Sequence, residues 1–145
     1  MWTCDTCGFD IARAEDGWVE WLMVEFPKGN GLRLVHAYPA SPRLDHPSRC
    51  QYGRVRGLND LPLEDFVGPN GMMRLLAMLY DERAPKEELL EMIKRLHIPG
   101  YEQARHHFDD AIAEGVYEPN TAPGYPHQRQ IKAVLDFIEQ RNLRS

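Results

Sequence analysis

The sequence contains no long apolar run. Its most hydrophobic stretch, Trp18-Val19-Glu20-Trp21-Leu22-Met23-Val24-Glu25, is broken by charge every few residues. A membrane-crossing helix needs about 20 predominantly apolar residues, so none is expected. Cysteine is scarce, with only three in the chain, and an odd number leaves a thiol over in any disulfide scheme. The opening residues Met1-Trp2-Thr3-Cys4-Asp5 include neither the basic cluster nor the apolar stretch of a secretory leader, and a cytoplasmic location is expected. No G-x-S-x-G, H-E-x-x-H or Walker-type loop is present, and Gly29-Asn30-Gly31 lacks the Lys-Ser/Thr pair of a phosphate-binding loop. An enzyme is therefore not expected. Internal repeats and low-complexity tracts are missing as well.

What remains is ordinary globular material. The 145 residues are 43% hydrophobic and 27% charged, enough to bury one sizeable core and too apolar for a disordered chain. The formal net charge of -5 hides a partition. Residues 1–27 carry one base, Arg13, against Asp5, Asp10, Glu15, Asp16, Glu20 and Glu25. Residues 28–56 carry Lys28, Arg33, Arg43, Arg49, Arg54 and Arg56 against Asp45 alone, so the two segments cancel. Composition also changes near residue 57. Trp, Val, Pro, Gly and all the cysteines dominate before it, and Leu, Met, Ile, Ala and Glu at helical spacing follow it.

Residues 17–26 alternate, with Trp18, Glu20, Leu22, Val24 and Phe26 on one face of an extended strand and Val19, Trp21 and Met23 on the other. Pro27-Lys28-Gly29-Asn30-Gly31 supplies turn chemistry, and Leu32, Leu34 and His36 then share a face, which predicts a β-hairpin. A proline-bearing loop with Pro39, Pro42 and Pro47 follows. Downstream, four apolar stripes predict helices: Met72/Leu75/Leu76/Leu79, Leu89/Met92/Ile93/Leu96, Tyr101/Ala104/Phe108/Ala111/Ile112 and Ile131/Val134/Leu135/Ile138. A short Pro/Gly-rich loop spans residues 118–126. The expected class is α+β, with a hairpin module in residues 1–57 packed on a bundle of about four helices in residues 58–145.

Cys4-Asp5-Thr6-Cys7-Gly8 is a C-x2-C-G knuckle, in which a tight turn aims two thiolates at one point. Zinc needs two more ligands. Cys50 is the only other cysteine, and His36 or His46 can complete a Cys3His set. His36 is preferred because it shares the inward strand face with Leu32 and Leu34, and His46 stays open as the alternative. A redox C-x2-C would need a preceding strand and a following helix, which three residues before Cys4 do not provide. The layout W-x-C-x2-C-G, then Gly17-Trp18-Val19-Glu20-Trp21, then His36 and Cys50 resembles small zinc-ribbon or treble-clef knuckles over the first third of the chain. The resemblance implies a first ligand pair before a hairpin and a second pair after it. Such modules serve as nucleic-acid binders, protein-docking pieces or structural staples.

Other signals are weaker. His106 and Asp110 stand at helical i, i+4 spacing, which also describes an ordinary polar face flanking Phe108. Residues 87–96 and 101–114 outline a helix-turn-helix, but Glu102, Asp109, Asp110 and Glu114 would face phosphate with only Arg105 to offset them. The better nucleic-acid candidate is the basic segment with Arg33, Arg43, Arg49, Arg54 and Arg56 beside Tyr38 and Tyr52. The competing reading pairs those arginines with the acids of residues 1–27 across the hairpin. Trp18 and Trp21 fall on opposite strand faces, so either one is an exposed anchor for a protein partner or the strand is covered on both sides. The function expected is a non-catalytic zinc-binding adaptor or regulator acting through protein contacts, with nucleic-acid binding through residues 28–56 as the alternative.

Overall fold

In the computed structural model, residues 1–118, 122 and 124–144 are described. The chain divides into two compact units, Met1–His97 and Ile98–Ser145. The fold is mixed α+β, as the alternation and the helical stripes require. Four positions of the Pro/Gly-rich loop, 119–121 and 123, lie outside the described residues.

In the first unit, two short strands, β1 (Trp2–Thr3) and β2 (Asp10–Ile11), pair antiparallel with Trp2 opposite Ile11. They close the base of the C-x2-C knuckle. The main sheet is antiparallel with order β4-β3-β5, where β3 is Gly17–Glu25, β4 is Lys28–His36 and β5 is Leu58–Pro62. Glu25 pairs with Lys28, so the hairpin turns at Phe26 and Pro27. Lys28 to Gly31, read from sequence as turn, belongs to β4 instead. Register shifts between Glu20 and Leu22 and between Met23 and Glu25 take up the extra residues.

The helices α1 (Gly68–Tyr80) and α2 (Lys86–His97) belong to this same unit. Leu75 and Met78 of α1 and Leu89 and Met92 of α2 share one core with Val19, Trp21, Leu34 and Phe66. The compositional change near residue 57 therefore falls just before the last strand of the sheet, while the compact units divide at residue 97. An apolar helix stripe is buried by whatever apolar face is nearest, and here that face is the sheet. The inward edge of α1 is also rotated from the sequence reading: Gly71, Leu75 and Met78 are buried, while Leu76 is exposed. Gly71 explains the rotation, because a Cβ there would collide with the Phe66 backbone, so α1 can approach the preceding turn only on its glycine side.

The second unit holds α3 (Tyr101–Ala104), α4 (Phe108–Ala113) and α5 (Gln128–Arg144). The helix expected over residues 101–114 is interrupted by a 3-10 turn at Arg105–His107. Tyr101, Ala104, Ala111, Tyr117, Ile131 and Val134 form a separate core, with Phe108 stacked on Tyr117 at 5.6 Å between ring centres. The two halves of the suggested helix-turn-helix thus fall in different compact units, and its second half is not a continuous helix. Among the described residues, no helix is long and apolar enough to cross a membrane.

Candidate metal centre

The knuckle is built by backbone geometry. The Cys4 N–H donates to the Phe9 carbonyl at 2.9 Å and the Gly8 N–H to the Cys4 carbonyl at 3.0 Å. That curl needs a left-handed residue, and Gly8, with φ +79°, supplies it at little steric cost. Asp5, inside the knuckle, anchors it in two directions. Its N–H bonds the Leu34 carbonyl, and its carboxylate accepts the Leu34 N–H and Arg95 of α2, each at 2.8 Å. The knuckle is thereby registered against the end of β4, where His36 sits.

Cys4, Cys7, His36 and Cys50 converge, with one ligand atom from each lying within 4.8 Å of all the others. His36 Nδ1 is 3.4 Å from Cys7 Sγ and 3.7 Å from Cys50 Sγ. A tetrahedral ion with metal–sulfur bonds of about 2.3 Å and metal–nitrogen bonds of about 2.0 Å separates its ligand atoms by about 3.5–3.8 Å. The donor set therefore fits a metal ion in type and in spacing. Cys4, His36 and Cys50 are buried and Cys7 is half-buried.

The surroundings prepare these atoms for a cation. His36 Nε2 lies 2.9 Å from the Asp10 carbonyl. A carbonyl only accepts, so the ring proton sits on Nε2 and the Nδ1 lone pair points at the sulfurs. Ser41 Oγ is 3.0 Å from Cys50 Sγ and can donate to a thiolate there. The Thr6 hydroxyl donates to the Cys50 carbonyl, so the knuckle holds the fourth-ligand loop directly. Without a cation, burial pushes the Cys7 thiol up to about 12, and the adjacent Cys4 and Cys50 add to that shift. Crowded thiols become thiolates only when a positive ion offsets their desolvation and mutual repulsion.

Cys50 is placed by a second set of contacts, of which the sequence foresaw the pairing of an arginine with an acid across the hairpin but not the part played by Tyr52. Glu20 of β3 is 0% exposed and accepts from Arg33 of β4 at 2.8 Å and from the Tyr52 N–H at 2.9 Å. Arg33 also stacks 3.5 Å above the Tyr52 ring and donates to the Cys50 carbonyl at 3.3 Å. The Tyr52 hydroxyl donates to the Gly31 carbonyl at 2.7 Å. Burial raises the Glu20 carboxyl, against the opposing pull of Arg33 and the Tyr52 N–H. The signal available in sequence was the lone acid between Val19 and Trp21, since a charge between two apolar strand residues has to be paired if it is buried.

The other candidate residues are distributed as follows. His46 is exposed, outside the cluster, and its Nδ1 accepts the Ser48 N–H. Trp21 is buried, edge-on to Phe66 at 6.3 Å. Trp18 is half-buried against the same core, and its indole N–H is buried without a partner among the described residues. Neither ring projects freely into solvent, which is the arrangement of a strand covered on both faces. Arg33 pairs internally with Glu20. Arg49 donates to the Tyr38 carbonyl at 2.9 Å and lies over the Tyr38 ring. Arg43, Arg54 and Arg56 make no ion pair among the described residues, and Arg54 and Arg56 are exposed. His106 lies in the 3-10 turn, so it and Asp110 do not share one regular helix, and Asp110 accepts from Arg141 at 3.1 Å. Compared with family models, with curated proteins and with solved structures, the chain matches none of them.

Proposed function

We propose that the chain is a zinc-binding, non-catalytic adaptor or regulatory protein of the cytoplasm, that zinc is its structural staple, and that it acts through protein–protein contact. The observation that carries the zinc reading is the convergence of three cysteines and one histidine, whose ligand atoms lie within 4.8 Å of one another. Thiolate and imidazole are the donors zinc selects, and four protein ligands leave no position for water or substrate, as in structural rather than catalytic sites. Three thiols committed to a metal also suit a reducing compartment.

Protein contact is supported by a groove in the first unit, with a volume of about 510 Å³, lined by Trp21, Leu61, Met73, Arg74, Ala77 and Met78. Met73 and Tyr80 stand exposed on the same helix, α1. Trp21 is buried but its edge lines this groove and would supply an aromatic contact there, the residue type most enriched where partners bind.

Two measurements test this reading separately. Elemental analysis after expression with zinc should find one zinc per chain, lost in Cys4→Ser, and a clear shortfall in the wild type would reject zinc. Capture from host lysate should retain a stoichiometric protein partner that survives nuclease. Ala77→Glu, at the exposed groove wall, should abolish that capture with the thermal midpoint unchanged. Capture that survives Ala77→Glu would remove the groove from the function.

A further inference from the structure

Between Lys28 and Arg56 the chain carries a single acid, Asp45, and the structure divides its arginines into two kinds. Arg33 is committed to buried Glu20, and Arg49 to the Tyr38 carbonyl and ring. Arg43, Arg54 and Arg56 have no carboxylate partner among the described residues. Internal pairing, the competing account of this basic segment, thus uses up Arg33 and leaves Arg43, Arg54 and Arg56 without a carboxylate.

Those three belong to the loop that Cys50 and Tyr52 tie to the hairpin. Arg54 lines a cleft of about 480 Å³ together with Tyr38, Pro47, Ser48, Gln51 and Tyr52. Tyr38 is 46% exposed and already carries the Arg49 guanidinium at 4.3 Å from its ring centre. Tyr52 carries Arg33 at 3.5 Å. Two aromatic–guanidinium stacks therefore border a cleft that also offers a hydroxyl, an amide and an unpaired cation.

We infer that this loop surface binds single-stranded nucleic acid, with Arg43, Arg54 and Arg56 meeting backbone phosphates and Tyr38 stacking on a base. Unpaired cations supply sequence-independent attraction to phosphate, and an exposed ring backed by guanidinium offers a π-face to any base. The loop between Ser41 and Gly57 contains no helix to enter a duplex major groove, which favours a single strand over a duplex. This site uses residues different from those of the α1 groove, so it does not depend on the protein-adaptor reading. It depends on the metal only in that Cys50 holds the loop in place.

The test uses the full metal-loaded chain and fluorescence anisotropy with a labelled mixed-sequence RNA of about twelve nucleotides, the same sequence as DNA, and its duplex. With three phosphate contacts and a slope of about 0.7 per contact, single-strand binding should weaken about 20-fold between 50 and 200 mM salt. The triple variant Arg43→Ala, Arg54→Ala, Arg56→Ala should bind at least tenfold more weakly and with a flatter salt dependence. Tyr38→Leu should weaken binding about tenfold with the slope unchanged. Tryptophan fluorescence and the thermal midpoint of the triple variant should match the wild type, since none of the three arginines makes an ion pair among the described residues and Arg54 and Arg56 are exposed. Three outcomes would overturn the inference: no binding at 50 mM salt, equal or tighter binding of the duplex, or wild-type affinity in the triple variant.

Discussion

Met1–His97 and Ile98–Ser145 bury their apolar surface with different materials. The first unit has a sheet, two helices and long connections, and it secures the connections at points: four convergent ligand atoms, the Glu20–Arg33–Tyr52 cluster and the Asp5–Arg95 pair at 2.8 Å. Among its described residues the second unit has helices and turns and no strand, and it is secured by continuous contact, with Phe108 tilted against Tyr101 and stacked on Tyr117 in one core with Ile131 and Val134. The difference follows from chain geometry. A helix presents its whole stripe at once, so apolar packing is enough, whereas a proline-bearing loop has few apolar residues to bury and must be tied down by polar or metal contacts. Point contacts in turn make a unit sensitive to single losses.

The contrast can be broken experimentally, because Trp2, Trp18 and Trp21 all lie in the first unit and tryptophan fluorescence reports on it alone. The largest effect should come from stripping the metal with a strong chelator or from Cys50→Ser. Binding of a structural zinc is worth about 10 kcal/mol or more in small modules, so the tryptophan signal should shift to that of exposed indole. Far-ultraviolet circular dichroism should keep the helical contribution of the second unit. Loss of both signals together would show that the units do not differ in this way.

Glu20→Ala should be next, at about 3–5 kcal/mol, because it strands Arg33 and the Tyr52 N–H without a partner. Urea unfolding followed by tryptophan fluorescence checks it, and metal retention should fall in the same variant. Ile131→Ala reverses the comparison: a cost of about 3 kcal/mol should appear in the helical signal at 222 nm, with the fluorescence transition unmoved. The smallest effect belongs to His46→Ala, which should leave metal content and stability unchanged within about 0.5 kcal/mol. A fall in metal content there would return His46 to the ligand set.

Much of the first unit was legible in its residue spacing. C-x2-C-G is a local motif whose geometry needs only one turn of chain, and of the face through Val19, Trp21 and Met23 the first two are buried together in the core of β3's unit. The α2 and α5 stripes also stand as read, with Leu89, Met92, Ile131 and Val134 buried. The α1 stripe was misread by one position because Gly71, the residue that sets its contact face, has no side chain to enter an apolar count. The interruption of residues 101–113 was missed because Arg105-His106-His107 is compatible with a regular helix, and only the curved path of the chain around Phe108 and Tyr117 replaces one with a 3-10 turn.

Sequence by itself determined the donor types available to a metal, the hairpin and the apolar stretches that become helices, because each depends on residue types a few positions apart. The tertiary structure decided which histidine joins the cysteines, which arginines are consumed by internal acids, and that α1 and α2 share a core with the sheet. Those outcomes depend on pairs distant in sequence, such as His36 with Cys50 and Glu20 with Tyr52. Burial and ion pairing are properties of two surfaces meeting, and no single stretch of chain carries them.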